Sequence, residues 1–241
     1  LTGLPVPYRI APKPIRDRFM RERVGSKELA YCDKLPLDAL RYILARSIEE
    51  LSRKKLSRRT WNEKKSACIV THDIETRKGL YRAIYLKKLE EKYNIPSAWY
   101  LPSKHYKLDP EIVKGLANYG EIGAHDTKHD GKLAQLPKKK LIERFLEAKQ
   151  TLERVSEQPI DGFRAPLLQH NIRIIQAIEE AGYCYDSSIP TWEPKHPYTM
   201  KPHGIATTYP LKIEGITEIP VTLPQDHQLL HVLGLGPKNV I

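Results

Sequence analysis

Residues 97–129 read SAWYLPSKHYKLDPEIVKGLANYGEIGAHDTKH. The stretch opens on SAWYL (97–101), an apolar run of strand length. DPEIVKGLANYG comes next as a helix, with Asp109 as its N-cap and Gly120 as its C-terminal stop. EIGA (121–124) is a second short apolar run, so the unit reads strand–helix–strand. Working outward, the alternation continues in both directions. ACIVT (67–71) reads as a buried strand, followed by a helix through Tyr81, Ile84, Leu86 and Leu89. After the quoted stretch comes a helix over 137–155, with Leu141, Phe145, Ala148, Leu152 and Val155 on one face. GFRA (162–165) is the fourth strand, NIRIIQAIEEAG a helix ended by Gly182, YCYDS (183–187) the fifth strand and EIPVTL (218–223) the sixth. Alternation at this spacing means an α/β fold with a parallel sheet, open or closed into a barrel. Functional residues then belong at the carboxyl ends of the strands.

The 241 residues are enough for one sizeable core. Hydrophobic residues make up 40% and charged residues 29%, a globular and not a disordered composition. No apolar run approaches the ~20 residues of a membrane helix, which excludes an integral helical membrane protein. The net charge of +11 invites a nucleic-acid reading until it is located along the chain. Residues 1–66 hold 17 Lys and Arg against 8 Asp and Glu, whereas residues 67–241 hold 23 against 21. No nucleic-acid partner is therefore expected. The chain divides into a basic accessory segment (1–66) and a near-neutral domain (67–241). Within the first, residues 1–26 read as an extended arm. Leu37, Leu40, Leu44, Ile48 and Leu51 step by three and four as an amphipathic helix over ~37–55. The RKKLSRR run (53–59) reads as a solvated helix end, with a weak contact to an anionic surface as the alternative. Cys32, Cys68 and Cys184 form neither a disulfide framework nor a thiolate metal motif. Cys68 and Cys184 sit in strand-like runs and read as buried free thiols, which favours a reducing, cytoplasmic setting. The chain begins at Leu1 with no signal peptide, as a processed or trimmed fragment would.

The chemistry lies just beyond the end of each strand. THDIE puts Asp73 and Glu75 two residues apart, on one side if the backbone stays extended. HDTKH puts His125 and His129 at i, i+4, facing one way on a helical turn. FRAP offers Arg164 and Pro166, and DSS offers Asp186. One carboxylate and two histidines form a three-ligand set for a divalent transition metal, and a second carboxylate beside it can act as general base. Each signal alone has a plainer reading: structural histidines, a helix N-terminal charge pair, a surface arginine. Four of them in order, each at a strand end, are hard to explain as packing. Phosphate-binding glycine loops and a nucleophile elbow are absent.

From about Ala67 to Val221 the chain resembles the polysaccharide deacetylase (NodB-like) superfamily, carbohydrate esterase family four. THDIE is similar to the variant first motif T-H-D-V-D/E, HDTKH to H-S/T-x-x-H, Arg164-Ala165-Pro166 to R-x-P, and Tyr185–Ser188 to Y-D-S-S. The resemblance implies a distorted (β/α) barrel of about seven parallel strands and a metal-dependent N-deacetylase, usually with zinc, acting on an N-acetylated saccharide. By position it makes Asp73 the catalytic base and Glu75, His125 and His129 the metal ligands. Arg164 would pair with Asp73, and the Leu167 N–H would help to hold the oxyanion. Asp186 lies in the fourth motif, beside the substrate region.

Several positions depart from the family pattern. The metal carboxylate is displaced by one residue and is Glu, so the Asp73 and Glu75 roles could be shared or swapped. Asp126 replaces Ser or Thr, Asp130 replaces a common Pro, and Leu167 replaces a frequent Tyr, which removes a sugar-stacking ring. The acid histidine of the fifth motif, L-x-H, is matched in letters by Leu229-Leu230-His231, in a proline-flanked loop; His227 and His72 are weaker alternatives. The chain could also stop before the family's last strand. A small non-sugar amide as substrate, or a non-catalytic binding protein with the same fold, are the competing readings. Exposed aromatics near Trp99, Tyr100 or Trp192 would favour a saccharide.

Overall fold

The structure, a computed structural model, describes residues 37–57, 61, 64, 66–193 and 203–222. The arm of residues 1–26, Cys32, His227 and the Leu229-Leu230-His231 motif lie outside the described residues. Among the described residues there are seven strands: β1 (Val70–Asp73), β2 (Ser97–Leu101), β3 (Glu121–Ala124), β4 (Gly162–Phe163), β5 (Tyr185–Asp186), β6 (Leu211–Ile213) and β7 (Ile216–Glu218). Five α-helices accompany them: α1 (Leu37–Ser52), α2 (Arg77–Tyr93), α3 (Pro110–Ala117), α4 (Lys138–Ser156) and α5 (Ile172–Glu180). The strand order is β1-β2-β3-β4-β5-β7-β6, parallel throughout except for the antiparallel β6–β7 hairpin.

Local signals place the helices. Thr76, Asp109 and Asn171 each cap a helix by accepting backbone N–H bonds, from Gly79, from Glu111 and Ile112, and from Ile174. Asn94 and Glu157 close α2 and α4 in the left-handed conformation. Gly120 is not the stop of α3, which ends at Ala117. It precedes β3, where a Cβ would lie 2.1 Å from the Ser97 carbonyl oxygen. The outer core lies between the sheet and α2–α5, around Trp99, Leu116, Phe145, Leu152, Phe163 and Ile178.

The expected strands are present but displaced. β1 starts three residues later than ACIVT, which leaves Cys68 exposed, and Cys184 just before β5 is exposed as well. Neither thiol is the buried group that its apolar neighbours imply. The strand expected at 218–223 is instead β7 at 216–218. The unforeseen β6 joins it through the two-residue turn Glu214–Gly215, both at positive φ (48° and 89°), as a primed hairpin turn requires. Of the four residues that mark α2 in the sequence, Ile84 and Leu86 pack against the core while Tyr81 and Leu89 are exposed, and the buried positions are Leu80, Ala83 and Glu90. α1 has the expected period but no buried residue. Its first turn is tied to the 206–208 segment by Leu37 N–H to the Ala206 carbonyl and by Asp38, which accepts from Thr207 and Thr208. No helix among the described residues is long and apolar enough to cross a membrane.

The sheet is strongly curled. Arg164 follows β4, yet its Nη1 donates to Thr71 Oγ1 on β1 at 2.7 Å. In a flat sheet those strands stand about 14 Å apart, more than one side chain can span. Tyr100 and Tyr185 fill the concave side. There a Cβ on Gly123 would meet the Tyr100 ring at 2.5 Å, and one on Gly162 the Tyr185 hydroxyl at 2.2 Å. Tyr100 donates to the Tyr185 hydroxyl (3.1 Å), which donates to Glu121 (2.7 Å). The mostly parallel sheet rolled around a polar interior is consistent with the distorted barrel that the family resemblance implies, while the strand pattern alone allows an open sheet equally well.

Candidate metal centre and active site

The carboxyl ends of β1, β3 and β4 bring five expected residues together. Asp73 ends β1 and Glu75 follows it; both reach His125, whose Nε2 lies 4.0 Å from Asp73 Oδ2 and 4.0 Å from Glu75 Oε1. His129 Nε2 lies 3.1 Å from Glu75 Oε1. Arg164 Nη1 donates to Asp73 Oδ1 at 3.1 Å. His125 is 1% exposed, and its Nδ1 donates to the Arg164 carbonyl at 2.8 Å. That bond fixes the tautomer and turns the lone pair of Nε2 toward the two carboxylates.

A divalent ion fits this donor set. Among the described residues the buried His125 Nε2 has no hydrogen-bond partner, which is costly unless something else satisfies it. One ligand atom each from Glu75, His125 and His129 lies within 4.8 Å of the others. Tetrahedral ligation at 2.0–2.2 Å would set neighbouring donors ~3.3 Å apart, so the widest pair would have to close by no more than about 1.5 Å. The electrostatics agree. The imidazoles of His125 and His129 hold the Glu75 carboxyl far below the usual carboxylate range. Burial opposes a charge on His125, but Asp73 and Glu75 outweigh it and pull that imidazole's pKa up. The carboxylates thus demand positive charge at this point.

The two histidines do not sit on a helical turn. Residues 125–129 form a loop in which Asp126 (φ 68°) and His129 (φ 50°) are both left-handed. The loop after β2 rests on it, through Ser103 N–H to the Asp126 carbonyl and Lys104 N–H to the Thr127 carbonyl. That loop also delivers His105, a residue the motifs do not mark, with its ring centroid 5.6 Å from that of His129.

Arg164 is gripped on all sides. Its Nε donates to the Ser187 carbonyl and its Nη2 to Ser187 Oγ, both at 2.8 Å, and its guanidinium lies over the Tyr100 ring at 4.4 Å. Burial disfavours its charge, and Asp73 more than compensates. The following turn is held by Ser188 Oγ, which accepts from Ala165 N–H and donates to Asp186. Leu167 and Leu168 there are left-handed (φ 58° and 50°). Leu167 is 37% exposed, and its N–H meets no protein acceptor among the described residues.

Asp186 is fully buried and faces Ser188 and Glu218, so it is set back behind the Arg164 turn and offers no surface to a substrate. His72 points outward, against Trp99 (ring centroids 4.5 Å) and Glu90 (Nε2 to Oε1, 2.6 Å), and neither lines the site nor can act there as an acid. Trp99 and Tyr100 are 0% and 1% exposed; of the three aromatics expected to mark a saccharide groove, only Trp192 is on the surface. A cavity of about 360 Å³ opens elsewhere, at the amino ends of β1–β3 among Val70, Ser97, Tyr119 and Glu121.

A family model described as polysaccharide deacetylase matches residues 62–185. No curated protein matches the chain. Among solved structures, a protein from Mycobacterium smegmatis, provisionally named a polysaccharide deacetylase, is 18% identical with a TM-score of 0.51, over 66% of this chain and 60% of that one. A family 4 acetyl xylan esterase from Clostridium thermocellum, in complex with cobalt, is 20% identical with a TM-score of 0.40, over 45% and 53%. A CE4 family pseudoenzyme from Bacillus anthracis is 13% identical with a TM-score of 0.44, over 48% and 40%. The alignments span 60% or less of these proteins' lengths. The first likeness is one of fold, and the other two are too distant to add to it.

Proposed function

Because the chain belongs to the polysaccharide deacetylase family, we propose that it is a metal-dependent hydrolase removing an acetyl group from an N-acetylated sugar or polysaccharide. The observation that carries the proposal is the buried, unpartnered Nε2 of His125 aimed at two carboxylates, with His129 beside them. Glu75, His125 and His129 would hold the metal, most simply zinc, given two imidazoles and one carboxylate. When bound, the metal would supply Lewis-acid polarisation of the scissile carbonyl and of the attacking water.

The chain's own groups supply the rest. Asp73 takes the proton of the attacking water, while Arg164 holds Asp73 Oδ1 in place and leaves Oδ2 facing the site. The Leu167 N–H stands ready as a donor to the oxygen that gains charge as water adds to the carbonyl. The leaving amine must be protonated, and the expected acid, His231, lies outside the described residues.

The test is acetate release from N-acetylated chitooligosaccharides with zinc added. Asp73→Asn should keep its zinc and lose at least ~100-fold in turnover, within the general acid–base range. His125→Ala and His129→Ala should lose the zinc itself. If Asp73→Asn strips the metal and Glu75→Gln does not, the two carboxylates exchange roles. A second reading, a small non-sugar amide as substrate, is favoured by the burial of Trp99 and Tyr100, which leaves no stacking platform there. Hydrolysis of a cyclic imide or formamide in preference to the oligosaccharide would select it.

A further inference from the structure

The histidine loop departs from the family pattern at two positions, Asp126 and Asp130, and one side chain accounts for both. Arg144, on the second turn of α4, donates through Nε to Asp126 Oδ1 (2.5 Å) and through Nη2 to Asp126 Oδ2. The same guanidinium donates to Asp130 through Nη1 (3.2 Å) and Nη2 (2.9 Å). Asp126 is fully buried and its carboxylate also accepts the His129 N–H at 3.2 Å. Arg144 is 11% exposed at its side chain, Asp130 23%.

The loop needs such a brace. Asp126 and His129 are non-glycine residues in the left-handed region, a conformation that costs roughly 1 kcal/mol or more per residue and persists only where the surroundings over-determine it. Asp126 immediately follows one histidine and bonds to the backbone of the other. Holding its carboxylate therefore fixes the distance between His125 and His129. A Ser or Thr at 126 could cap the loop but could not be gripped by a fork. The carboxylate can, because guanidinium and carboxylate geometries match in two parallel bonds.

We propose that Arg144 is a positioning residue for the metal centre: its guanidinium clamps Asp126 and Asp130 so that His125 and His129 are held at ligating distance before any ion arrives. The inference rests on the reading of Glu75, His125 and His129 as metal ligands. Arg144 touches neither metal nor substrate and acts only through the loop.

Arg144→Lys keeps the charge and loses the fork. Zinc affinity, measured by competition with a chromophoric chelator below the melting temperature of every variant, should fall 10–100-fold, the range for lost outer-shell support. The visible spectrum of the cobalt-substituted protein should change, and the His129 amide should exchange faster in metal-free protein. If Arg144→Lys fails to fold, Arg144→Met with Asp126→Asn removes the stranded charge and carries the same expectations. Zinc affinity within twofold of wild type, with an unchanged cobalt spectrum and only a lower melting temperature, would overturn the proposal. Wild-type protein that takes up no zinc would instead overturn the metal reading on which it rests.

Discussion

Two loops carry most of the proposed chemistry, and they are stabilised by opposite means. The 125–129 loop is braced by charge: one guanidinium lies between two carboxylates, with Asp126 buried. The 164–168 turn is braced by serine hydroxyls. Behind them lies a pair of fully buried carboxyl groups, Asp186 and Glu218, on adjacent strands. Both loops contain two left-handed residues, so both need bracing. In the ionic brace burial opposes charge, but the pairing raises the pKa of Arg144 and lowers that of Asp130, so both keep their charges across the neutral range. The other depends on a proton, since two carboxyls in contact away from water cannot both ionise. The comparison can be broken by removing one brace at a time.

The largest effect is expected at the ionic brace. Arg144→Met leaves Asp126 buried without a counter-charge, which should cost about 3–5 kcal/mol of unfolding free energy. Urea denaturation measures it, and adding Asp126→Asn should restore part of the loss. A cost below about 1 kcal/mol would mean that the loop is held by its neighbours and not by the clamp. At the other brace, Ser188→Ala removes the acceptor for Ala165 N–H and the donor to Asp186 together. About 1–3 kcal/mol should be lost, the cost of leaving buried partners unsatisfied. Because Arg164 keeps its own bonds to Ser187, zinc affinity should be unchanged in this variant, in contrast to Arg144→Lys. A parallel fall in zinc affinity would show that the two loops act as one unit.

The braces were not equally legible. Asp73, Glu75, His125, His129 and Arg164 each follow a short apolar run, and strand ends in a parallel sheet converge, so order along the chain was enough to group them. Ser187 and Ser188 were visible as part of Y-D-S-S, though not as the grip on Arg164. Arg144 gave no signal: a cation on the polar face of an amphipathic helix reads as solvated, and only the tertiary fold turns that face toward Asp126. The i, i+4 spacing of the histidines pointed to a helical turn because periodicity cannot distinguish a helix from a loop that returns by way of positive φ. His72, a weaker alternative for the acid, is a case that position in the motif alone does not decide. Alternation along β1 puts it on the face opposite Asp73, and that is settled only once the strand is known to start at Val70. The two thiols obey the same logic, since an apolar run that stops short of pairing has nothing to bury it.

The smallest expected effect isolates the proton. Burial, foremost, and the neighbouring carboxylate raise the pKa of Glu218 well above the ordinary carboxyl value, and burial raises that of Asp186. The folded state therefore retains a proton that the unfolded chain releases near pH 4. Where the folded state binds more protons, stability falls as pH rises, by at most ~1.4 kcal/mol per unit for one proton. The contribution is fully present below pH ~4 and declines until the pair's folded pKa is passed. Glu218→Gln should remove that slope at little cost at neutral pH. The carbonyl oxygen of the introduced amide can still accept the Ile189 N–H, as Glu218 Oε1 does at 2.9 Å, and its NH2 group can donate to Asp186 in place of the shared proton. Other groups tilt the profile too. His170, pushed down to about 4 by burial, favours the folded state as pH rises toward 6.5, and His125 acts in the opposite sense above it. The informative quantity is therefore the difference between wild type and Glu218→Gln at each pH from 4.5 to 8, in which those terms cancel. A difference that grows in the variant's favour with pH supports the shared proton. A difference independent of pH would mean that the pair is ionised and held by Arg164 alone, and the two loops would then be braced by charge alike.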